Sequence, residues 1–334
     1  MRHLSRLRVL LLVGFGLGLG IFVAGIAMVW MGPLGTPDYD VDSGGFYFSK
    51  DADLGNAPRP GISVRSSRDI DSQTVYDVRY TIDESGLRET PSSTRQGPAT
   101  LFFGGSFTFG EGLEDTETLP ARVAQKDPGR RALNAGFHGY GPHQMLRALE
   151  TDRLRELTPA GVEDVVYLAI DSHVDRVGGR VSWNFGAPRY VLEDGSPSFA
   201  GPMYEGLERL ALRIGRRVPV LDDWVRQKLA ATEEQAQSDR ELYVAILLRA
   251  AELVREKWDV PLTVVFWDQD GGALADRLAA SGLETIRVSR ALEGRPWSAF
   301  TIPRDGHPSA AANEAVANHL LEHWSRREPL DARK

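Results

Sequence analysis

The sequence predicts an α/β domain built on a doubly wound parallel sheet of about five strands, preceded by an N-terminal transmembrane helix. Three observations carry this expectation. Short, almost unbroken apolar runs recur at 99–103, 131–134, 164–170, 262–267 and 284–288, as in strands covered on both faces. Segments with helical spacing separate most of them, the alternation that a parallel sheet requires. Several runs end in glycine-rich or polar stretches, and open parallel sheets bind ligands beyond the carboxyl ends of their strands.

Residues 9–31 carry no charged side chain. As a helix they would extend about 35 Å, enough to cross a bilayer core with some tilt. The run is longer than that of a cleaved signal peptide, and Met28, Trp30 and Met31 make a poor cleavage site. Arg2, Arg6 and Arg8 precede it, and Asp38, Asp40 and Asp42 follow. That bias keeps the N-terminus cytoplasmic and puts the body on the far side. The expectation is a single-pass protein of the inner (cytoplasmic) membrane with an extracytoplasmic, periplasmic body. Residues 1–32 form the cytoplasmic N-terminus and anchor, and 33–98 an extended lead-in packed on the main domain, with a β-like piece at 76–82.

The main domain runs over 99–326. Its first strand, 99–103, ends in Gly104, Gly105 and Ser106, and a helix starts near Leu119 with Pro120 in its first turn. The strand at 131–134 leads to Gly136 and Gly139, and Met145, Leu146, Leu149 and Leu154 predict a helix over 142–157. The third strand, 164–170, runs into Asp171, Ser172 and His173. An insertion over 176–237 scatters Trp183, Phe185, Tyr190, Phe199 and Tyr204 among Gly and Pro. It reads either as surface decoration or as an aromatic wall beside the rim. A long helix over 239–258, a strand at 262–267, a helix at 273–280, a strand at 284–288 and a helix over 310–324 capped by Ser309 complete the pattern.

Composition narrows the chemistry. The 39 Lys and Arg against 46 Asp and Glu give a net charge of −7, which argues against nucleic acid as a partner. With no cysteine, disulfides, thiolate zinc sites and a cysteine nucleophile are excluded. A serine after the first strand becomes nucleophilic only beside a base. His307 supplies an imidazole, and Asp305, two residues away, a carboxylate to orient it. The N–H groups of Ser106 and Gly139 suit an oxyanion. His138 and His173 are candidates for substrate contact; with His143 they lie on separate segments without a zinc spacing, so neither a metal nor an organic cofactor is expected. Singly, each residue has a plainer reading, a turn serine or a loop histidine; their combination, a serine after the first strand, Asn134 and Gly139 after the second and Asp305 with His307 before the last helix, argues for chemistry.

These residues resemble the blocks of the SGNH (GDSL-like) hydrolases, over about residues 99–326. Gly104-Gly105-Ser106 is similar to the family's Gly-Asp-Ser, with glycine in place of aspartate, and Asn134 with Gly139 matches its Asn and oxyanion glycine. The third block, Gly-x-Asn-Asp, has no match; Asp171, Ser172 or His173 stands at its place, Ser172 being taken as the oxyanion donor. Asp305-x-His307 is closer to the spacing of an alginate O-acetyltransferase-like branch. The wording of residues 103–112 resembles membrane-anchored SGNH proteins of bacterial envelope polysaccharide. The resemblance implies a serine esterase or O-acyltransferase acting on acylated polysaccharide, with a possible place in an envelope biosynthesis complex. The alternative is a non-catalytic glycan-binding or assembly protein on a degenerate scaffold.

Overall fold

The computed structural model describes residues 47–327 other than 95, 182, 184 and 218, together with Gly16 and Gly20. Apart from those two glycines, the run at 9–31 lies outside the described residues, among which no helix is long and apolar enough to cross a membrane. The described residues fall into two compact units, Tyr204–Ala230 in one and residues 47–203 with 231–327 in the other.

The larger unit opens with four strands, β1 (Phe48–Asp51), β2 (Gly55–Pro58), β3 (Ile62–Ile70) and β4 (Gln73–Ile82). β1 pairs with β2, and β3 with β4, both antiparallel. Asp71 and Ser72 join β3 to β4 with φ of 50° and 60°, the backbone of a tight hairpin turn matched to strand twist. This lead-in is fastened to the domain. Tyr80 and Ile82 are buried in the main core, and the buried Arg88 donates to Asp115 at 2.7 Å and to the Leu113 carbonyl at 2.9 Å. Its guanidinium also lies over the rings of Tyr80 and Phe109.

Next come β5 (Ala99–Gly104), α1 (Ser106–Phe109), α2 (Leu119–Lys126), β6 (Arg131–Asn134), α3 (Pro142–Glu150), β7 (Val162–Ala169) and α4 (His173–Val177). After a hairpin of β8 (Pro188–Glu193) and β9 (Ser196–Pro202), the smaller unit holds α5 (Gly206–Arg217) and α6 (Pro219–Leu229). The larger unit resumes with α7 (Glu233–Trp258), β10 (Leu262–Phe266), α8 (Ala273–Ala280), β11 (Glu284–Arg287), α9 (Val288–Ala291) and α10 (Ala310–Ser325).

The five expected strands form one parallel sheet in the order β11-β10-β7-β5-β6. Side chains alternate between its faces. Phe102, Val166, Leu168 and Val265 join α2 and α10 on one side; Leu101, Phe103, Val165, Tyr167 and Val264 join α3, α7 and α8 on the other. The chain leaves β5 toward β6 and then returns across β5 to β7. Connections therefore diverge beside the end of β5, the place where open parallel sheets bind their ligands.

Three boundaries differ from the sequence reading. The helix after β6 stops at Glu150 because Asp152 takes φ 51°, and only a 3-10 turn covers Arg155–Leu157. The long helix starts at Glu233, where the Thr232 hydroxyl accepts from the Gln235 N–H at 3.2 Å. The segment read as one insertion divides into the β8–β9 hairpin, packed on α3 through a Tyr190–Glu150 hydrogen bond of 2.6 Å, and the α5–α6 pair.

Candidate active site

Gly104 ends β5, and Ser106 opens the one-turn helix α1 just beyond it. At the other end of the chain, Arg304 and Gly306 adopt φ of 66° and 90°. The loop closes through Ile302 N–H to the His307 carbonyl at 2.7 Å. This tight loop turns the side chains of residues two apart toward each other. Asp305 Oδ1 lies 2.5 Å from His307 Nδ1 and also accepts the His307 backbone N–H at 3.1 Å. The opposite ring nitrogen, His307 Nε2, lies 2.8 Å from Ser106 Oγ. Arg68, from β3, pairs with Asp305 Oδ2, and Arg304 pairs with Asp71 in the hairpin turn, so the lead-in braces the loop from outside the sheet.

Glu111 is a second carboxylate at the same imidazole. Gly110 closes α1 in the left-handed region, and the Glu111 N–H returns to the Ser106 carbonyl at 3.0 Å. Its Oε2 lies 2.6 Å from His138 Nδ1 and 3.5 Å from His307 Nε2. Burial alone would raise the Glu111 pKa, but the charges and hydrogen bond of His138, with His307 and Arg68, bring it down to about 2. Burial would likewise raise Asp305, yet the hydrogen bond and charge of His307 leave it lowered. For His307 burial works downward and is outweighed by the Asp305 hydrogen bond and the charges of Glu111 and Asp305, so its pKa is raised. This imidazole is basic, with a carboxylate on one nitrogen and a hydroxyl on the other.

The expected oxyanion donors part company. The amides of Ser106 and Gly139 donate to no acceptor among the described residues, as donors kept for a ligand would. Gly139 has φ 75°, and a Cβ there would lie 3.0 Å from the ring of Trp183, which is itself 59% exposed. Ser172 is exposed at the start of α4, and no hydrogen bond among the described residues joins it to Ser106. Asn134 is buried and braces α1, donating to the Thr108 carbonyl at 3.0 Å.

His173, expected at the substrate, is fully buried and out of a substrate's reach, with Nδ1 2.6 Å from the Tyr167 hydroxyl. Its Nε2 and the Arg176 guanidinium press against Gly105, where a Cβ would lie 2.5 Å from Arg176 Nη1 and 3.1 Å from His173 Nε2. These side chains occupy the space an aspartate at position 105 would need. Arg176 Nη1 also donates to the Tyr140 carbonyl at 2.5 Å, fastening α4 to the loop that carries Gly139. His138 is partly buried and turned to Glu111 rather than outward. His143, buried with Arg176 nearby, is lowered to about 3 by burial first and by that charge second.

Among the described residues, Glu111, Asp305 and His307 form the group whose ligand atoms, within 4.8 Å of one another, could hold a metal ion. Those atoms are engaged by Arg68, His138 and Ser106, so a metal would have to displace them. On the outer side, Phe107 lies 5.1 Å from the His307 ring and 5.4 Å from Trp267, which is followed by Trp297 at 4.9 Å. Sequence reasoning singled out neither Glu111 nor Arg68 nor Arg176. Glu111 had a signal, a charge held between two glycines just after the serine turn.

No family model matches the chain, and no curated protein matches it. Solved structures do. A member of the lipolytic G-D-S-L family from Veillonella parvula is 12% identical, with a TM-score of 0.36 over 69% of this chain and 100% of its own. A catalytic mutant of an acetylxylan esterase from Geobacillus stearothermophilus is 13% identical, with a TM-score of 0.38 over 70% and 98%. A two-domain esterase active on acetylated mannans is 16% identical, with a TM-score of 0.38 over 71% of this chain and 53% of its own. The G-D-S-L structure is of the family that the sequence blocks resemble; what this chain does has to be read from its own site.

Proposed function

We propose that the chain is a serine-dependent carboxylic ester hydrolase or O-acyltransferase. In this reading residues 9–31 anchor it in the membrane, its site faces the envelope, and its substrates are ester-linked acyl groups of polysaccharide. The single observation that carries the chemistry is the line Ser106 Oγ, His307 and Asp305, at 2.8 and 2.5 Å. His307 Nε2 takes the hydroxyl proton as Ser106 Oγ bonds to the ester carbonyl carbon, and Asp305 holds the resulting imidazolium. The oxyanion accepts hydrogen bonds from the Ser106 and Gly139 amides. Collapse of the intermediate breaks the ester C–O bond, and His307 returns the proton to the leaving alcohol. Water or a sugar hydroxyl then gives its proton to His307, attacks the acyl-serine and releases Ser106. Hydrolysis and transfer differ only in that acceptor, water or a sugar hydroxyl. The substrate class rests on the envelope-facing location implied by the apolar run and on the resemblance of the sequence blocks.

The test is labelling of the full chain, in detergent, with a fluorophosphonate probe. Labelling of the wild type that is lost in Ser106→Ala is the expected result. An unlabelled wild type sinks the hydrolytic reading and leaves a glycan-binding scaffold. Mass spectrometry of envelope polysaccharide from Ser106→Ala cells then separates the activities: extra acyl groups mark a hydrolase, missing ones a transferase. An unchanged polymer would remove polysaccharide as the substrate class.

A further inference from the structure

The buried polar groups around the serine are not equivalent, and one has no part in the three-residue line. Glu111 sits five residues after Ser106, its side chain buried between His138 and His307. Its position is tightly determined: α1 closes at Gly110, the Glu111 N–H is bonded to the Ser106 carbonyl, and the next N–H, of Gly112, donates to the Tyr80 hydroxyl at 2.8 Å. The carboxylate thus approaches the Nε2 side of His307, the side Ser106 uses, whereas Asp305 holds Nδ1. A structural ion pair would need only one partner, yet here one oxygen, Oε2, is within 4 Å of both imidazoles.

The groups facing His307 come from five elements: Asp305 on its own loop, Ser106 and Glu111 after β5, Arg68 from β3, His138 after β6, and Tyr80 from β4 behind Glu111. Arg68 pairs with Asp305. Tyr80, pushed up to about 12 by burial first and the charge of Glu111 second, is neutral at physiological pH. Two carboxylates therefore face one arginine and two imidazoles. Asp305 pairs directly with Arg68, whereas Glu111 is answered first by the imidazoles of His138 and His307 and only then by the charge of Arg68.

Resting on the serine-hydrolase reading, we propose that Glu111, held by His138, is a positioning residue that supplies a second negative charge to the His307 imidazolium on its serine-facing side. When His307 carries the proton between Ser106, leaving alcohol and acceptor, Glu111 stabilises the charged ring without taking the proton. A carboxylate this close stabilises the protonated ring relative to the neutral one. The same interaction moves the acid limb of the reaction to higher pH, because His307 must shed its proton before it can act as base.

The measurement is the second-order rate of fluorophosphonate labelling of the full chain against pH, for wild type, Glu111→Gln, Glu111→Asp and Asp305→Asn. Glu111→Gln keeps size and loses charge, so its acid limb should move to lower pH by half a unit or more (a threefold or larger gain in relative rate on that limb), while the plateau falls less than Asp305→Asn makes it fall. Glu111→Asp, which keeps the charge, should hold the limb near the wild-type position. Coincident limbs in wild type and Glu111→Gln overturn the proposal while leaving the serine chemistry standing. An unlabelled wild type overturns both. Where Glu111→Gln loses its thermal transition, Glu111→Ala is read the same way, and loss of folding in both makes Glu111 a structural brace and overturns its electrostatic role.

Discussion

His307 and His173 lie against adjacent residues of one turn, His307 touching Ser106 and His173 backing onto Gly105, yet their surroundings drive the two rings in opposite directions. At His307 burial is overcome by Asp305 and Glu111, and the pKa rises. At His173 burial meets no carboxylate; the Arg176 charge acts in the same direction, then that of His143, and the pKa falls well below its ordinary value. One imidazole is made the better base, and the other stays neutral as a hydrogen-bonded core residue. The sign of the neighbouring charge, not distance from the serine, separates them.

The strongest way to break this comparison is to remove each ring in turn. His307→Gln should lower the labelling rate by a thousandfold or more, about 4 kcal/mol of transition-state stabilisation. His173→Gln should leave it within tenfold wherever the variant keeps its thermal transition. Equal losses in the two folded variants would show that their surroundings do not separate their roles.

A smaller effect belongs to the glycine between them. A Cβ on Gly105 would lie 2.5 Å from Arg176 Nη1 and 2.9 Å from the Tyr140 carbonyl oxygen, and the second of these is backbone that cannot swing away. Gly105→Ala should therefore destabilise the fold by about 2 kcal/mol, within the range for forcing extra atoms into a packed site. The shift in denaturant midpoint checks it, and an unshifted midpoint would mean the cluster beneath Gly105 is loosely packed.

The same contrast explains what could be read in advance. The five strands were legible because each is a near-continuous apolar run, and Ser309 and Pro120 marked helix starts by their local chemistry. The β8–β9 hairpin was missed although Asp194-Gly195 is a strong turn signal. Much of it is exposed, and Pro188, Pro197 and Pro202 obscure any alternation. The start of α7 was missed because its first turns hold acidic and amide residues rather than an apolar stripe. Ser106 was legible as a serine after the first strand, and Asp305 and His307 as a carboxylate and imidazole just before the last helix; the fold brings them together. Arg68 was not, since it reaches Asp305 across 237 positions through a hairpin packed outside the sheet. Nor was the burial of His173, because a histidine at a strand end looks the same in sequence whether its ring turns outward or into the core.

The comparison extends to stability, where the signs again oppose. His143, like His173, is held neutral in the folded chain, with its pKa lowered to about 3. Between the ordinary value of 6.5 and that figure the unfolded chain binds the extra proton, so this contribution is present above pH 6.5 and is lost as pH falls. His307 is the reverse: its folded pKa is raised, so its contribution is complete below pH 6.5 and is lost as pH rises through the folded value. His143→Gln should therefore flatten the loss of stability from pH 6.5 to 5, above the carboxylate range, by up to about 1.4 kcal/mol per pH unit. His307→Gln should instead flatten the loss on the alkaline side. Urea midpoints across pH 5 to 9 measure both slopes, and flattening on the same side in the two variants would sink the assignment of opposite environments.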